Sequence, residues 1–236
     1  MAPTQTQPLE LYYWSTPNGR KITVMLEELG VPYNVNFIEI GKGEQRTPEY
    51  SKISPQNQIP GLVDPEGPGG KRVTLFESGA ILMYLGRKFG RFYPLDDELA
   101  RIAVEMWVMW QMGDFGPILG QAHHYNLSAP VEVPYSIERF TKAVHRSYRT
   151  LNGRLGEVEY VAGDYSIADM AIYPWAARFE RHRVDFNDYP NVKRWFETVG
   201  ARPAVKRGMA VMKPGYVDRG GAVNPARAKA AEAAAE

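Results

Sequence analysis

The chain has 236 residues, 44% of them hydrophobic and 23% charged, with a formal net charge of +1. That length suits one large domain or two compact ones, and near-neutral charge removes the usual reason to expect a nucleic-acid partner. No apolar run approaches the roughly 20 residues that cross a bilayer. The polar opening residues lack the pattern of a signal peptide, which implies a cytoplasmic protein with no membrane partner. The chain contains no cysteine, which excludes disulfides, zinc-thiolate sites and a cysteine nucleophile. Any thiol chemistry must use a ligand's sulfur.

In chain order, residues 9–14 are a β-prone run ended by Ser15-Thr16-Pro17-Asn18-Gly19, which is turn composition. From Arg20 the apolar residues Ile22, Leu26 and Leu29 recur at helical spacing, and Gly30 ends the segment as a C-cap. Residues 33–40 alternate as a second strand, completing a βαβ unit. A polar loop over 41–48 and a short helical candidate precede the turn-rich segment 54–61. Leu62-Val63-Asp64 and residues 72–76 then form a hairpin across a Gly/Pro-rich loop, and Ser78 caps a helix carrying Ile81, Tyr84, Leu85 and Phe89. Residues 91–97 read as a linker. Beyond them the strand signal fades, and helices are expected over 98–120, 134–156, 166–180, 189–201 and 203–212. The tail from Lys213 reads as disordered or a frayed helix. The expected architecture is an α/β domain over 8–92, an all-α domain over 98–212 and a C-terminal tail, 213–236.

Four segments together resemble the cytosolic glutathione transferase superfamily. They are the Ser15–Gly19 turn, Ile59-Pro60 before the third strand, Phe76-Glu77-Ser78-Gly79-Ala80-Ile81, and Gly163-Asp164-Tyr165-Ser166-Ile167-Ala168-Asp169. The resemblance implies a thioredoxin-like N-terminal domain, a helical-bundle C-terminal domain and a homodimer. Thr16-Pro17-Asn18-Gly19, Gly41-Lys42-Gly43-Glu44-Gln45 and Gly120-Gln121-Ala122-His123-His124 are most similar to the Nu class. Members of that class are associated with glutathione-dependent disulfide reduction and peroxidase activity, and often bind two glutathiones.

The resemblance assigns Thr16 and Asn18 to the sulfur of glutathione, the co-substrate. A thiol of pKa about 8.5 needs roughly 2–3 kcal/mol of anion stabilisation to be mostly ionised at neutral pH. One side-chain hydrogen bond to the anion supplies about 1.5–3 kcal/mol, and a helix N-terminus adds roughly 0.3–1 kcal/mol. Without the resemblance, Thr16 and Asn18 simply form the turn and cap the helix. Tyr12, Tyr13 and Trp14 lie within the strand and read as core rather than as a catalytic tyrosine.

By the same resemblance, Ile59-Pro60 is a cis peptide, and Ile59 pairs its backbone with the cysteinyl part of glutathione. Gln58 and Asn57 reach towards the glycine end, and Lys42 and Gln45 towards the glycyl carboxylate. Glu77 pairs with the γ-glutamyl ammonium, Ser78 and its amide hold the α-carboxylate, and Arg139 reaches a carboxylate, including one of a second glutathione. Ser166 and Asp169 form a capping box with a structural role alone. His123-His124 has no third ligand at usable spacing, so no metal site is expected; the pair lines the cleft or packs under it. Trp107 and Trp110 read as a core or dimer-facing stripe. The second substrate is a disulfide or another small electrophile, with peroxide reduction, conjugation and thioether cleavage open on the same site. The alternative is a non-catalytic glutathione-binding regulator or a carrier of hydrophobic ligands.

Overall fold

The computed structural model describes residues 5–216 together with Asn224 and Pro225; most of the tail expectation lies outside the described residues. Strand β1 (Leu9–Tyr13) leads into helix α1 (Pro17–Leu29) and strand β2 (Tyr33–Phe37). A short helix α2 (Pro48–Ser51) precedes β3 (Gly61–Asp64), β4 (Val73–Phe76) and α3 (Ser78–Phe89). The sheet order is β2-β1-β3-β4, with β1 parallel to β2 and the β1–β3 and β3–β4 pairs antiparallel. Leu9, Leu11 and Tyr13 alternate inward on β1, and all four residues of β3 are buried, as a strand covered on both faces requires. Trp14 is also core, and the Tyr13 hydroxyl donates to Val211 O at 2.8 Å, so neither is free for chemistry.

Helices α4 (Glu98–Trp110), α5 (Gly116–His123), α6 (Pro134–Glu157), α7 (Ile167–Ala176), α8 (Pro190–Ala201) and α9 (Pro203–Ala210) build the rest. The helix expected over 98–120 runs on to Ser128, with π-helical segments at Gln111–Phe115 and His124–Ser128. The first sits just before Gly116-Pro117. A proline has no N–H for its i−4 carbonyl and its ring crowds that oxygen, and the wider π turn makes room for it. The helix expected over 166–180 stops at Ala176 and passes into a 3-10 turn, Phe179–His182, while the strand expected over 33–40 ends at Phe37.

Two packing contacts carry α1 into place. It lies against α9, where a Cβ on Gly208 would fall 2.6 Å from Val24 Cα, so only glycine permits that approach. It also lies against α7, whose amino end is anchored by the Ser166/Asp169 capping box. Asp169 is fully buried and accepts from Val161 N (3.0 Å), Ser166 N (3.0 Å) and the Trp195 indole (2.8 Å). Burial pushes its carboxyl up to about 6 against the pull of those donors, which leaves it ionised at neutral pH.

Asp169→Ala would orphan three buried donors, each worth about 1–3 kcal/mol. The expected loss is therefore at least about 3 kcal/mol, above the ~1 kcal/mol of an ordinary cap. Denaturant unfolding measures it, and an unchanged midpoint would refute the structural role.

Candidate active site

Thr16 caps α1: its Oγ1 accepts from Gly19 N at 3.3 Å, and its carbonyl accepts the first helical bond, from Arg20 N, at 3.0 Å. Pro17 has no N–H to offer. Of the first-turn donors, the N–H of Asn18 is therefore left without a partner among the described residues. A Cβ on Gly19 would lie 2.3 Å from Trp14 O, so glycine lets the helix start tight against the end of β1. The Thr16 hydroxyl uses an acceptor lone pair for its cap and keeps its proton to donate.

The Asn18 side chain is oriented from the other half of the chain. The Trp175 indole N–H donates to Asn18 Oδ1 at 2.9 Å. An indole N–H can only donate, so the amide oxygen faces Trp175 and the NH2 group is left over, with no partner among the described residues. Trp175 is itself braced by His182, whose ring stacks on it at 6.4 Å between centroids. His182 is fully buried, and burial pushes its pKa down to about 3, so it remains neutral.

These groups open onto a cleft of about 410 Å³, within the roughly 300–1,000 Å³ of small-molecule sites. It is lined by Thr16 and Asn18 on one side and by Gln45, Asn57, Gln58 and Ile59 on another, with His123, Trp175 and Arg178 from the helical half. The Ile59-Pro60 peptide is cis. The N–H and C=O of Ile59 make no hydrogen bond among the described residues, which leaves a strand-like backbone edge. Gln45 Oε1 is buried without a hydrogen-bond partner among the described residues, the kind of orphan polar atom that a polar ligand satisfies.

Glu77 and Ser78 follow directly on β4, whose last residue, Phe76, pairs with Gly61, the residue after Pro60. Glu77 is exposed at φ 68°, ψ 113°, a conformation a non-glycine residue adopts at a cost of about 1–3 kcal/mol and one that clusters at binding sites. Ser78 does not cap α3 as expected. Glu77 holds the N-cap position without a side-chain bond, and Ser78 is the first helical residue, its hydroxyl taken instead by the buried ammonium of Lys21 at 3.2 Å.

Of the expected site residues, the structure brings Thr16, Asn18, Gln45, Gln58 and Ile59 to one cleft; Pro60 is buried next to them, and Glu77 and Ser78 sit at the start of α3, beyond the Gly61–Phe76 pair, without lining the cleft. Two are elsewhere in this chain. Lys42 is on the surface, ion-paired with Glu39 at 3.0 Å; the tight 3-10 turn Ile40–Lys42 aligns the two at i, i+3. Arg139, one turn into α6, lines a separate basic groove with Lys142, Arg146 and Arg149. His123 and His124 part company, His123 lining the cleft and His124 packing on Tyr125. Among the described residues no group of three potential ligands could hold a metal, and no helix is long and apolar enough to cross a membrane. Trp175 and Arg178 are cleft residues that sequence reasoning missed. Trp175 lies at the end of the apolar helix α7 and Arg178 on the turn just after it, where Arg178 Nη2 donates to Ser15 O at 3.3 Å, tying the helical half to the first turn.

Residues 7–87 match the N-terminal domain model of glutathione S-transferase, and residues 123–203 match the C-terminal one. The chain belongs to the glutathione S-transferase family. It is 45% identical over 207 residues to the disulfide-bond oxidoreductase YfcG of Escherichia coli, covering 87% of this chain and 95% of that one. It is 42% identical to the disulfide-bond oxidoreductase YghU of the same organism, covering 89% and 76%. Among solved structures, a Burkholderia graminis glutathione transferase with two glutathione molecules bound per subunit superposes with a TM-score of 0.83 at 40% identity, covering 88% of this chain and 90% of that one. A Pseudomonas putida glutathione transferase with one glutathione disulfide bound per subunit superposes with a TM-score of 0.84 at 36% identity, covering 90% and 95%.

Proposed function

We propose that this protein is a Nu-class glutathione transferase of the cytoplasm that ionises the thiol of bound glutathione and uses the thiolate to reduce disulfides. The observation that carries this is the Asn18 amide, its oxygen held by Trp175 and its NH2 left for an anion at the start of α1. In this reading residues 8–92 form the glutathione-binding domain and 98–212 the helical domain. The Asn18 NH2, its backbone N–H and the Thr16 hydroxyl stabilise the sulfur anion together. Ile59 pairs with the cysteinyl backbone, Gln45 and Gln58 take the glycyl end, and Glu77 and Ser78 take the γ-glutamyl group. Lys42 and Arg139 are not needed by it.

The absence of cysteine fixes the route. The bound thiolate attacks one sulfur of the substrate disulfide, and the other sulfur leaves as a thiolate that takes up a proton. A second glutathione thiolate then attacks the glutathione sulfur of the mixed disulfide, giving glutathione disulfide and releasing the remaining substrate thiol. Each turnover reduces one disulfide and oxidises two glutathiones. That relatives carry two glutathiones or one glutathione disulfide per subunit supports a site sized for the product. A carrier of hydrophobic ligands would have no use for an oriented donor at the sulfur position.

The test is glutathione-dependent reduction of 2-hydroxyethyl disulfide. The wild type is expected to turn over, and Asn18→Ala to lose at least about tenfold, the loss of one hydrogen bond to a charged group. Equal rates would remove Asn18 from the chemistry, and absence of turnover in the wild type would remove disulfide reduction.

We also infer a homodimer. Leu99, Ile102, Met106 and Met109 are exposed along one face of α4, Leu99 by 80%, and such an apolar stripe marks a protein contact. Wild-type protein is expected to sediment as a dimer and Leu99→Glu/Met106→Glu as a monomer; a monomeric wild type would refute it.

A further inference from the structure

Lys21 sits three residues after Asn18 on α1 and is 1% exposed. Its Nζ donates to Gln111 Oε1 at 2.6 Å and to Ser78 Oγ at 3.2 Å, and lies 3.6 Å from Met112 Sδ. No ion pair joins it to a carboxylate among the described residues, although a buried ammonium without a countercharge is costly. Burial pushes its pKa down to about 7, with the exposed Glu77 pulling the other way at longer range. The remaining surroundings are neutral or engaged elsewhere. Ser78 faces it from α3, and Gln111 and Met112 face it from the π segment after α4. On α7, Asp169 is bonded to Val161, Ser166 and Trp195; on α9, Arg207 pairs with Glu27 and Lys206 is exposed; on α1, Arg20 acts on Tyr13.

Two consequences follow from an ammonium being a donor only. Ser78 Oγ must accept from Lys21, so the hydroxyl proton points elsewhere; its partner among the described residues is the weak acceptor Met112 Sδ at 3.7 Å. The proton is thus held ready for a stronger acceptor. Gln111 likewise commits its oxygen to Lys21, leaving its Nε2 buried and unpartnered.

We propose that Lys21 is a positioning residue for the γ-glutamyl end of glutathione, supplying the countercharge for its α-carboxylate, turning the Ser78 hydroxyl proton towards it, and taking up a proton as it binds. This rests on the reading of Glu77 and Ser78 as the γ-glutamyl anchor. The sign is set by the neighbouring charge. A carboxylate arriving beside Ser78 favours the ammonium over the neutral amine, so binding raises the Lys21 pKa. Affinity then weakens as pH climbs above about 7, where the free protein holds Lys21 increasingly neutral.

The experiment is calorimetric titration with S-methylglutathione at pH 7.5, in buffers of different protonation enthalpy; the blocked thiol removes the proton that sulfur ionisation would release. Wild type is expected to take up about half a proton or more per ligand, and no uptake with the ligand's α-carboxylate converted to the amide. Lys21→Met should abolish the uptake and weaken S-methylglutathione about tenfold, while S-methylcysteinylglycine, which lacks the γ-glutamyl group, binds both proteins within about twofold. Wild-type protein that takes up no proton overturns the proposal, and does so even where Lys21→Met fails to fold. Lys21→Met with wild-type uptake and affinity overturns it equally. Ser78→Ala separates the two layers: unchanged S-methylglutathione binding there refutes the anchor itself, whereas weakened binding beside an unaffected Lys21→Met refutes the role of Lys21 alone.

Discussion

The hydrogen bond from the Trp175 indole to Asn18 Oδ1 is the contact on which the site depends. A free asparagine amide at a helix start can present either its oxygen or its nitrogen, and the two have opposite effects on an anion. With the oxygen held by Trp175, the NH2 is left over, and the side chain becomes a fixed donor rather than a rotor. Preorganisation of this kind matters because the whole requirement, roughly 2–3 kcal/mol to ionise a thiol at neutral pH, is comparable to one hydrogen bond to a charged atom. A donor that spent half its time turned away would forfeit about 0.4 kcal/mol of it, and one held by a competing bond would forfeit more.

That bond spans 157 residues, and much of the helical half can be understood as its support. The capping box at Ser166 and Asp169 starts α7, α7 packs on α1, and Trp175 comes off its far end onto Asn18 while His182 stacks behind. Arg178, on the turn just beyond, ties back to Ser15. In the proposed mechanism the α/β half supplies the backbone edge at Ile59 and the helix terminus, and the helical half orients Asn18; under that proposal neither half holds a complete site.

The local grammar of the sequence carried most of this fold. Turn residues at 15–19, helical spacing from Ile22 to Leu29, the hairpin before Ser78 and the Ser166/Asp169 box all report interactions between near neighbours, which leave a pattern in the chain. The features that were not legible depend on distant partners or on hydrogen-bond register. The π segment at Gln111–Phe115 has no compositional mark beyond the proline after it. Lys21 has the charge of a solvent-facing helix residue, and only the fold shows it buried beneath Ser78. The resemblance also named Lys42 and Arg139; in this chain Lys42 pairs with Glu39 and Arg139 lines a groove on α6, both outside the cleft at Asn18.

The central claim is that the protein ionises a thiol that is not its own. The measurement is a pH titration of thiolate absorbance for glutathione bound to the wild type and to Trp175→Phe, which keeps an aromatic ring but removes the indole proton. The bound thiol is expected to titrate below about 7 in the wild type and about one pH unit higher in the variant. A wild-type complex in which the thiol still titrates near its free value of about 8.5 would contradict it.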